Sequence, residues 1–464
     1  MGQEEPMRET EEEDELFIFR PLLSHLQLDK LPELAISLKT GLLGGDICSP
    51  LTCTVSPRPL IGTYNILFRV TFSDSTEWLF KIPFIGYLPE WLEASGRKLR
   101  SEVNTMRFIR KYTKIPVPEV YAFDCHLDNL INAPYIALEF INGITMLTKW
   151  FAKPGGYEQL SEEQLEERRV RWLKAVAEYM FELGKFRFDQ CGMLDFKEGG
   201  DGPIGIDPLR VPDMLAESHV EPSSDVVPQK YCDIGPFSDT KSYLLGRLHL
   251  QASNTSAIHL HRILRQLINW IPESMANFEL GPHGHRFVLC HPDLDLDNII
   301  ISNDGECRIL SIIDWDGAST SPLCIGNERY PSWLSREWHP VVYQYDPDDP
   351  ESDDLENSPE ELERFRDIYA TYMQELVGCE REALTSFSYI YEMLEIAAAN
   401  IYFIKGIVYS LCRDCITASR PRDLDDDEDI YLSDVIQAFQ EDFPEQMVMD
   451  RLRDGFLKLC GEDY

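Results

Sequence analysis

The chain has 464 residues, enough for two or three domains with a sizeable core, and its 44% hydrophobic and 27% charged content is that of an ordinary soluble globular protein. Its 43 basic residues stand against 80 acidic ones, a net charge of −37, which excludes nucleic acid and anionic membrane surfaces as partners because both attract basic faces. No apolar run approaches the roughly 18 residues of a membrane span, the first residues are acidic where a secretion signal is basic, and twelve scattered cysteines fit reduced thiols, so a cytoplasmic location is expected.

The acid is concentrated: 24 of the 80 acidic residues fall within 4–15, 346–363 and 423–429. Solvation is the expected state of all three, with residues 1–15 an acidic disordered tail and 346–357 an acidic surface loop. Gly2 follows Met1, but Pro6 occupies the position where myristoylation requires Ser or Thr. Residues 16–46 have helical tendency and little chemistry. At 61–72 a small loop, Gly62-Thr63-Tyr64-Asn65, runs into a strand; 73–76 is a turn, and 77–83 is the antiparallel partner that carries Lys81. Such a hairpin covers a nucleotide and offers an ammonium to its phosphates, although any strand can end on a lysine. The 97–111 segment is a helix with Leu99, Val103 and Met106 on one face, spaced four and three. Glu102 lies beside that stripe as the only acid within 97–111, placed to pair with a strand lysine; a solvated surface glutamate is the alternative. Pro116 and Pro118 hold 113–118 extended, and strands follow at 119–124 and 135–140.

Ser161 and Gln164 form a capping box for a helix whose buried face is Leu165, Trp172, Leu173, Val176, Met180 and Leu183. The Gly- and Pro-rich span 187–236 reads as a long loop region, and helices are expected at 238–250, 256–270, 360–376, 381–412 and 431–460. Cys412 and Cys415 lack a second pair, and His259/His261 and His283/His285 lack helical i,i+4 spacing, so packing or surface roles are expected for all of them. The chemistry converges at 287–317. The apolar run Phe287-Val288-Leu289-Cys290 leads into His291-Pro292-Asp293 and on to Asn298; apolar runs at 299–301 and 309–313 flank a Ser-Asn-Asp-Gly turn; the second run delivers Asp314-Trp315. The spacing H-x-D-x-x-x-x-N, then a hairpin and an acid, suits phosphoryl transfer. Asp293 would orient the acceptor hydroxyl and accept its proton. Asn298 and Asp314 offer the hard oxygen ligands that Mg²⁺ needs against the phosphates of ATP. His291 is grouped with Asp293 in the catalytic loop, as its brace. An acidic loop in which Asp and Asn only make turns is the alternative.

These residues resemble the aminoglycoside/choline phosphotransferase family of kinase-like small-molecule kinases, most closely its fungal members of unassigned substrate. HPDLDLDN is similar to the family's H-G-D-L-H-x-x-N loop, IIDWDG to its I-D-W/F-x segment, and the run from Gly62 and Asn65 to Lys81 to its G-x-x-N…R-x-x-F…K arrangement. The resemblance covers 60–140 and 287–335 and is absent from the first 45 residues. It implies an α+β, bilobal protein-kinase-like fold with a small antiparallel-sheet N-lobe at 16–140 and a larger, mainly helical C-lobe at 141–464. It implies a hinge at 138–143 whose backbone, at Glu139 and Ile141, bonds the adenine edge. It also implies transfer of the γ-phosphoryl group of ATP to a hydroxyl or amino group of a small molecule, with Mg²⁺; a catalytically silent nucleotide-binding scaffold is the alternative. Asp295 replaces the family's His, and Asp316-Gly317 follow Asp314-Trp315 where protein kinases have Gly two after Asp. Asp295, Asp297 and Asp316 give the expectation of a cationic acceptor, against the alternative that they cap the loop and the hairpin.

Overall fold

The computed structural model describes residues 16–44, 50–153, 159–197, 201–213, 230–251, 258–276, 284–340, 342–348, 356–379, 382–421, 429–441 and 445–462. The expected acidic tail at 1–15 and His283 lie outside the described residues, as does all of the acid at 349–355 and 422–428.

The chain begins with helices α1 (Arg20–His25) and α2 (Leu31–Leu42), then strands β1 (Cys53–Val55), β2 (Leu60–Ile61), β3 (Asn65–Phe72) and β4 (Glu77–Pro83). Along β3 burial alternates: Ile66, Phe68, Val70 and Phe72 point to a core that also takes Phe19, Leu22 and Leu31 from the helical entry. That alternation is the period-2 signature of a half-buried strand. The antiparallel register places Lys81 opposite Leu67 and Pro83 opposite Asn65. Helix α3 (Glu93–Tyr112) precedes β5 (Val120–Asp124) and β6 (Tyr135–Glu139), and the sheet order is β1-β3-β4-β6-β5, with β2 also pairing to β3. The expected face of α3 is buried at Leu99, Val103 and Met106. It packs into a cluster with Trp172, Leu194, Leu289 and Ile312, so this helix belongs as much to the second half of the chain as to the sheet.

Beyond β6 come β7 (Ile144–Thr145), α4 (Leu147–Trp150) and α5 (Glu162–Leu183), which starts on the expected Ser161/Gln164 capping box. The span expected as loop at 187–236 instead holds β8 (Arg187–Phe188), β9 (Gly192–Phe196), β10 (Pro203–Asp207), β11 (Leu209–Pro212) and β12 (Tyr231–Ile234). Of these strands of two to five residues, β10 pairs with β9 and β11 with β12, while β8 and β9 are recruited by distant partners. β9 pairs with Ser319–Pro322 far along the chain, and Ser101 of α3 donates to the Leu194 carbonyl at 2.7 Å. Local periodicity carries no trace of such partners.

Helices α6 (Thr240–His249), α7 (Ile258–Trp270) and α8 (Glu273–Ala276) lead to β13 (Phe287–Cys290), the hairpin β14 (Ile299–Ile301) and β15 (Ile309–Ile312), and β16 (Ser319–Pro322). The chain closes with α9 (Pro359–Val377), α10 (Ser388–Ala399), α11 (Ile404–Ser419), α12 (Leu432–Gln440) and α13 (Gln446–Leu459). The helix expected at 381–412 is thus broken where Asn400 takes an extended backbone after α10. The one expected at 431–460 is two helices, the first ending where Glu441 takes an extended backbone. Cys412 and Cys415 lie buried on α11, where a Cβ on Gly455 of α13 would overlap the Cys415 carbonyl; they are packing residues at a close helix crossing. The solvated reading holds at Asp346, Asp348, Glu360 and Glu363, which are exposed, and fails at Glu356 and Asp429. Glu356 is buried and takes two bonds from Arg336, at 2.9 and 2.5 Å, and Asp429 pairs with Arg420 and Arg451 at 3.2 Å each. Together the antiparallel sheet of 53–139 and the mainly helical assembly beyond it make an α+β, bilobal kinase-like fold.

Candidate active site

All four residues of β13 are buried, and the strand delivers His291 into the interior at 1% exposure. Its Nε2 donates to the Ile313 carbonyl at 3.0 Å, its Nδ1 accepts from the Asp293 amide at 3.2 Å, and its ring meets Trp315 edge-on at 4.5 Å. Burial pushes its pKa down to about 4, so the imidazole is neutral and both nitrogens are spent on the backbone. Asn298 Nδ2 donates to the Asp293 carbonyl at 2.8 Å and to Asp293 Oδ2 at 3.2 Å, which fixes the amide and points its oxygen away from these bonds. The Ile313 amide donates to the Asn298 carbonyl at 2.9 Å, and Ile299 pairs with Ile312, so the hairpin brings Asp314 back beside Asn298. Asp314 itself adopts φ 60°, a left-handed backbone that Asp tolerates better than most side chains. The Asp293 carboxyl reaches solvent, yet its pKa is raised by burial in the cleft, then by Asp295 and Asp314, with Arg329 opposing.

Across the cleft, Lys81 Nζ lies 2.8 Å from Glu102 Oε1 and 3.1 Å from Asp314 Oδ1, with Lys81 and Glu102 both buried. Burial alone would depress the ammonium's pKa; Glu102 and Asp314 outweigh it and hold Lys81 charged. A second pair runs alongside, Lys98 Nζ to Asp316 Oδ1 at 2.8 Å, and the Asn65 side chain bonds to Asp316. The loop before β3 closes with the Gly62 amide donating to the Asn65 carbonyl at 2.9 Å; Thr63 and Tyr64 form its exposed tip, and the Tyr64 ring lies 6.0 Å from Phe84. The expected hinge links β6 to β7. The Glu139 amide is committed to the Glu119 carbonyl at 2.9 Å, and its side chain accepts from the Glu119 amide at 3.0 Å, turned toward β5. Ile141 is half-buried, and a Cβ on Gly143 would come 2.5 Å from the Ile301 carbonyl, so the connection requires glycine there.

The fold therefore gathers Lys81, Glu102 and Asp314 directly, and His291, Asp293 and Asn298 through backbone bonds, while the Glu139 side chain stays with its own sheet. Three residues have no place in the expected motifs. Lys98 holds Asp316, Ser332 donates to Asp295 Oδ2 at 2.6 Å, and Arg329 donates to the His291 and Pro292 carbonyls at 3.1 and 3.4 Å. Only for Lys98 was there a signal, its place four residues before Glu102 on α3. Of the three acids expected to favour a cationic acceptor, Asp295 is a cap, bound to Ser332 and the Leu296 amide, and Asp316 is paired. Asp297 alone remains at the exposed rim, its pKa raised by burial and then by Asp295, with Thr145 opposing. Asn298 and Asp314 offer oxygen atoms only, a donor set that fits Mg²⁺.

A sequence profile described as APH, "Phosphotransferase enzyme family", matches residues 60–325. An Aspergillus fumigatus protein named as a subtelomeric hrmA-associated cluster protein is 25% identical over 350 residues, 66% of this chain and 63% of that protein. A Lodderomyces elongisporus protein named "Altered inheritance of mitochondria protein 9, mitochondrial" is 24% identical over 356 residues, 66% of this chain and 52% of that one. The chain thus spans between half and two thirds of the length of these relatives. Among solved structures, aminoglycoside phosphotransferase APH(4)-Ia in ternary complex with AMP-PNP and hygromycin B is 14% identical with a TM-score of 0.41, covering 81% of this chain and 94% of that one. Spectinomycin phosphotransferase APH(9)-Ia in complex with ADP and spectinomycin is likewise 14% identical, with a TM-score of 0.36 over 91% and 98%. The expected cytoplasmic location is corrected by these relatives, since the proteins from Lodderomyces elongisporus, Candida albicans and Candida tropicalis are all named as mitochondrial.

Proposed function

The chain belongs to the phosphotransferase enzyme family, and from that premise we propose that it moves the γ-phosphoryl group of ATP to a hydroxyl or amino group of a small molecule. The observation that carries the reading is Lys81 Nζ shared between Glu102 at 2.8 Å and Asp314 at 3.1 Å, facing a loop in which Asn298 is bonded to Asp293. Loose phosphoryl-transfer transition states need positioning and charge neutralisation more than covalent help. In this reading Asp293 is the catalytic base that orients the acceptor and takes its proton. His291 braces the loop from behind as a positioning residue. Lys81, fixed by Glu102, binds the phosphates beneath the turn at 62–65, and the backbone at 139–141 receives the adenine. Asn298 and Asp314 would hold Mg²⁺, which supplies neutralisation of phosphate charge. The lobes divide near 140, with 16–140 above the cleft and 141–464 below it. Asp297 at the rim favours an amino-bearing acceptor, and mitochondria are the compartment carried over from the relatives' names.

ATP consumption by the purified protein, screened over a library of hydroxyl compounds that includes amino alcohols, tests the proposal. Acceptor-dependent ADP release that requires Mg²⁺ supports it. Tight Mg·ATP binding with no acceptor-dependent ADP release anywhere in the library would instead support the silent nucleotide-binding scaffold.

A further inference from the structure

We infer that Lys98 and Asp316 form a positioning ion pair that locks helix α3 to the metal-bearing segment 314–317 and thereby sets how readily Asp314 takes its cation. The inference rests on the proposed role of Asp314. Lys98 Nζ lies 2.8 Å from Asp316 Oδ1, and both side chains are about four-fifths buried, at 23% and 21% exposure. Lys98 precedes Glu102 by four residues, so both project from one face of α3, while Asp316 follows Asp314 by two on the facing segment. Two ionic ties therefore run side by side between the same two elements, Lys98 to Asp316 and Glu102 through Lys81 to Asp314.

The two ties differ in what a bound cation does to them. Asp314 shares Lys81 with Glu102, and an Asp314 carboxylate that turns to a cation gives up part of its hold on Lys81. Asp316 makes its direct bonds elsewhere, to Lys98 and the Asn65 side chain of β3, while the Lys81 charge also acts on it. The segment also needs a hold on its conformation. Asp314 at φ 60° and Gly317 at φ 81° are both left-handed, and the intervening Trp315 is fully buried with its Nε1 on the Ile312 carbonyl at 3.0 Å. Trp315 anchors the segment from the core side, and the Lys98–Asp316 pair anchors it from the cleft side. Tyr231 of β12 lies 5.8 Å from the Lys98 ammonium, so the strands inserted after α5 help to confine that lysine.

Lys98→Met, Asp316→Asn, the double variant and Lys98→Arg are compared with the wild type by the Mg²⁺ concentration that half-saturates binding of a fluorescent ATP analogue. Melting temperatures are measured alongside. The single variants should each raise that concentration about ten-fold or more, the usual effect of removing a group that orients a metal ligand. The double variant should be no worse than either single one, and Lys98→Arg should restore the wild-type value. A loss of melting temperature with unchanged Mg²⁺ dependence would reduce the pair to a structural contact and overturn the inference. Should Lys98→Met not fold, Asp316→Asn and Lys98→Arg decide in the same way. Wild-type protein that binds the analogue independently of Mg²⁺ would bring down the proposed role of Asp314, and the inference with it; wild-type dependence with variant indifference removes the inference alone.

Discussion

Replacing Lys81 by Met and Glu102 by Gln or by Met, singly, and both residues by Met together, should give unequal and strongly coupled losses of stability. Lys81 is 8% exposed and Glu102 6%, and at 2.8 Å their attraction is about 6 kcal/mol at an effective dielectric of about 20, much of it offset by desolvation. Lys81→Met leaves Glu102 buried with no cation, which costs about 3–5 kcal/mol. Glu102→Gln costs less, about 1–3 kcal/mol, because Lys81 keeps Asp314 at 3.1 Å. The double variant buries two apolar side chains and should recover part of the loss, a coupling of about 2 kcal/mol. The pH dependence has a definite sign. Burial raises the Glu102 pKa to about 7 even against the pull of Lys81, with Asp316 and Asp314 adding to the rise, and without Lys81 it goes higher still. A carboxyl raised in the folded state contributes stability that is fully present below its unfolded value near 4.5 and lost as pH rises through the folded value. The penalty for Lys81→Met should therefore be larger at pH 8 than at pH 5.5. Urea denaturation at the two pH values measures all of this. Additive losses, or a Glu102→Gln loss as large as that of Lys81→Met, would refute the shared-lysine geometry.

Three further outcomes are expected. Asp314→Asn should raise the Mg²⁺ needed for nucleotide binding, read by titrating Mg²⁺ against a fluorescent ATP analogue; identical curves would leave Asp314 as a strand-end acid. His291 is buried neutral with its pKa lowered from 6.5 to about 4 by desolvation, so the unfolded chain takes up the proton first as pH falls. Stability present above about 6.5 is then lost down to about 4, by about 3 kcal/mol in all, and urea midpoints of His291→Gln should lack that slope. Amino alcohols should turn over faster than matched carboxylate alcohols, with the difference shrinking as salt rises; since Asp295 and Asp316 are paired, the effect rests on Asp297, and equal rates at low salt would remove it.

Most of the candidate site was legible because a phosphoryl-transfer pattern asks for particular residue types at short spacings. His291, Asp293 and Asn298 sit within eight residues, and the hairpin that returns Asp314 announces itself by two apolar runs around a turn. Lys81 and Glu102 were legible through strand and helix patterns, and α3 buries the face that periodicity expected. What could not be read depends on contacts remote in sequence. Arg329 reaches back to the His291 and Pro292 carbonyls, and Ser332 takes up Asp295, from positions with no spacing rule that ties them to the loop. In the span Arg187–Ile234, β8 forms against β13 and β9 against β16 and α3, and a Gly- and Pro-rich stretch carries no local sign of that. Glu356 and Asp429 looked like solvated charge because their arginine partners lie 9 to 22 residues away.

The most direct measurement compares wild type and Asp293→Ala for Mg·ATP binding and for acceptor-dependent ADP release. Turnover in the variant should fall at least about 100-fold, the contribution of a positioned general base, while its affinity for Mg·ATP is unchanged, because the proposal has Asp293 face the acceptor and Lys81, Asn298 and Asp314 hold the nucleotide side. Retention of more than about a hundredth of the wild-type rate, or loss of nucleotide binding together with turnover, would contradict the assignment of Asp293 as the base of a phosphotransferase.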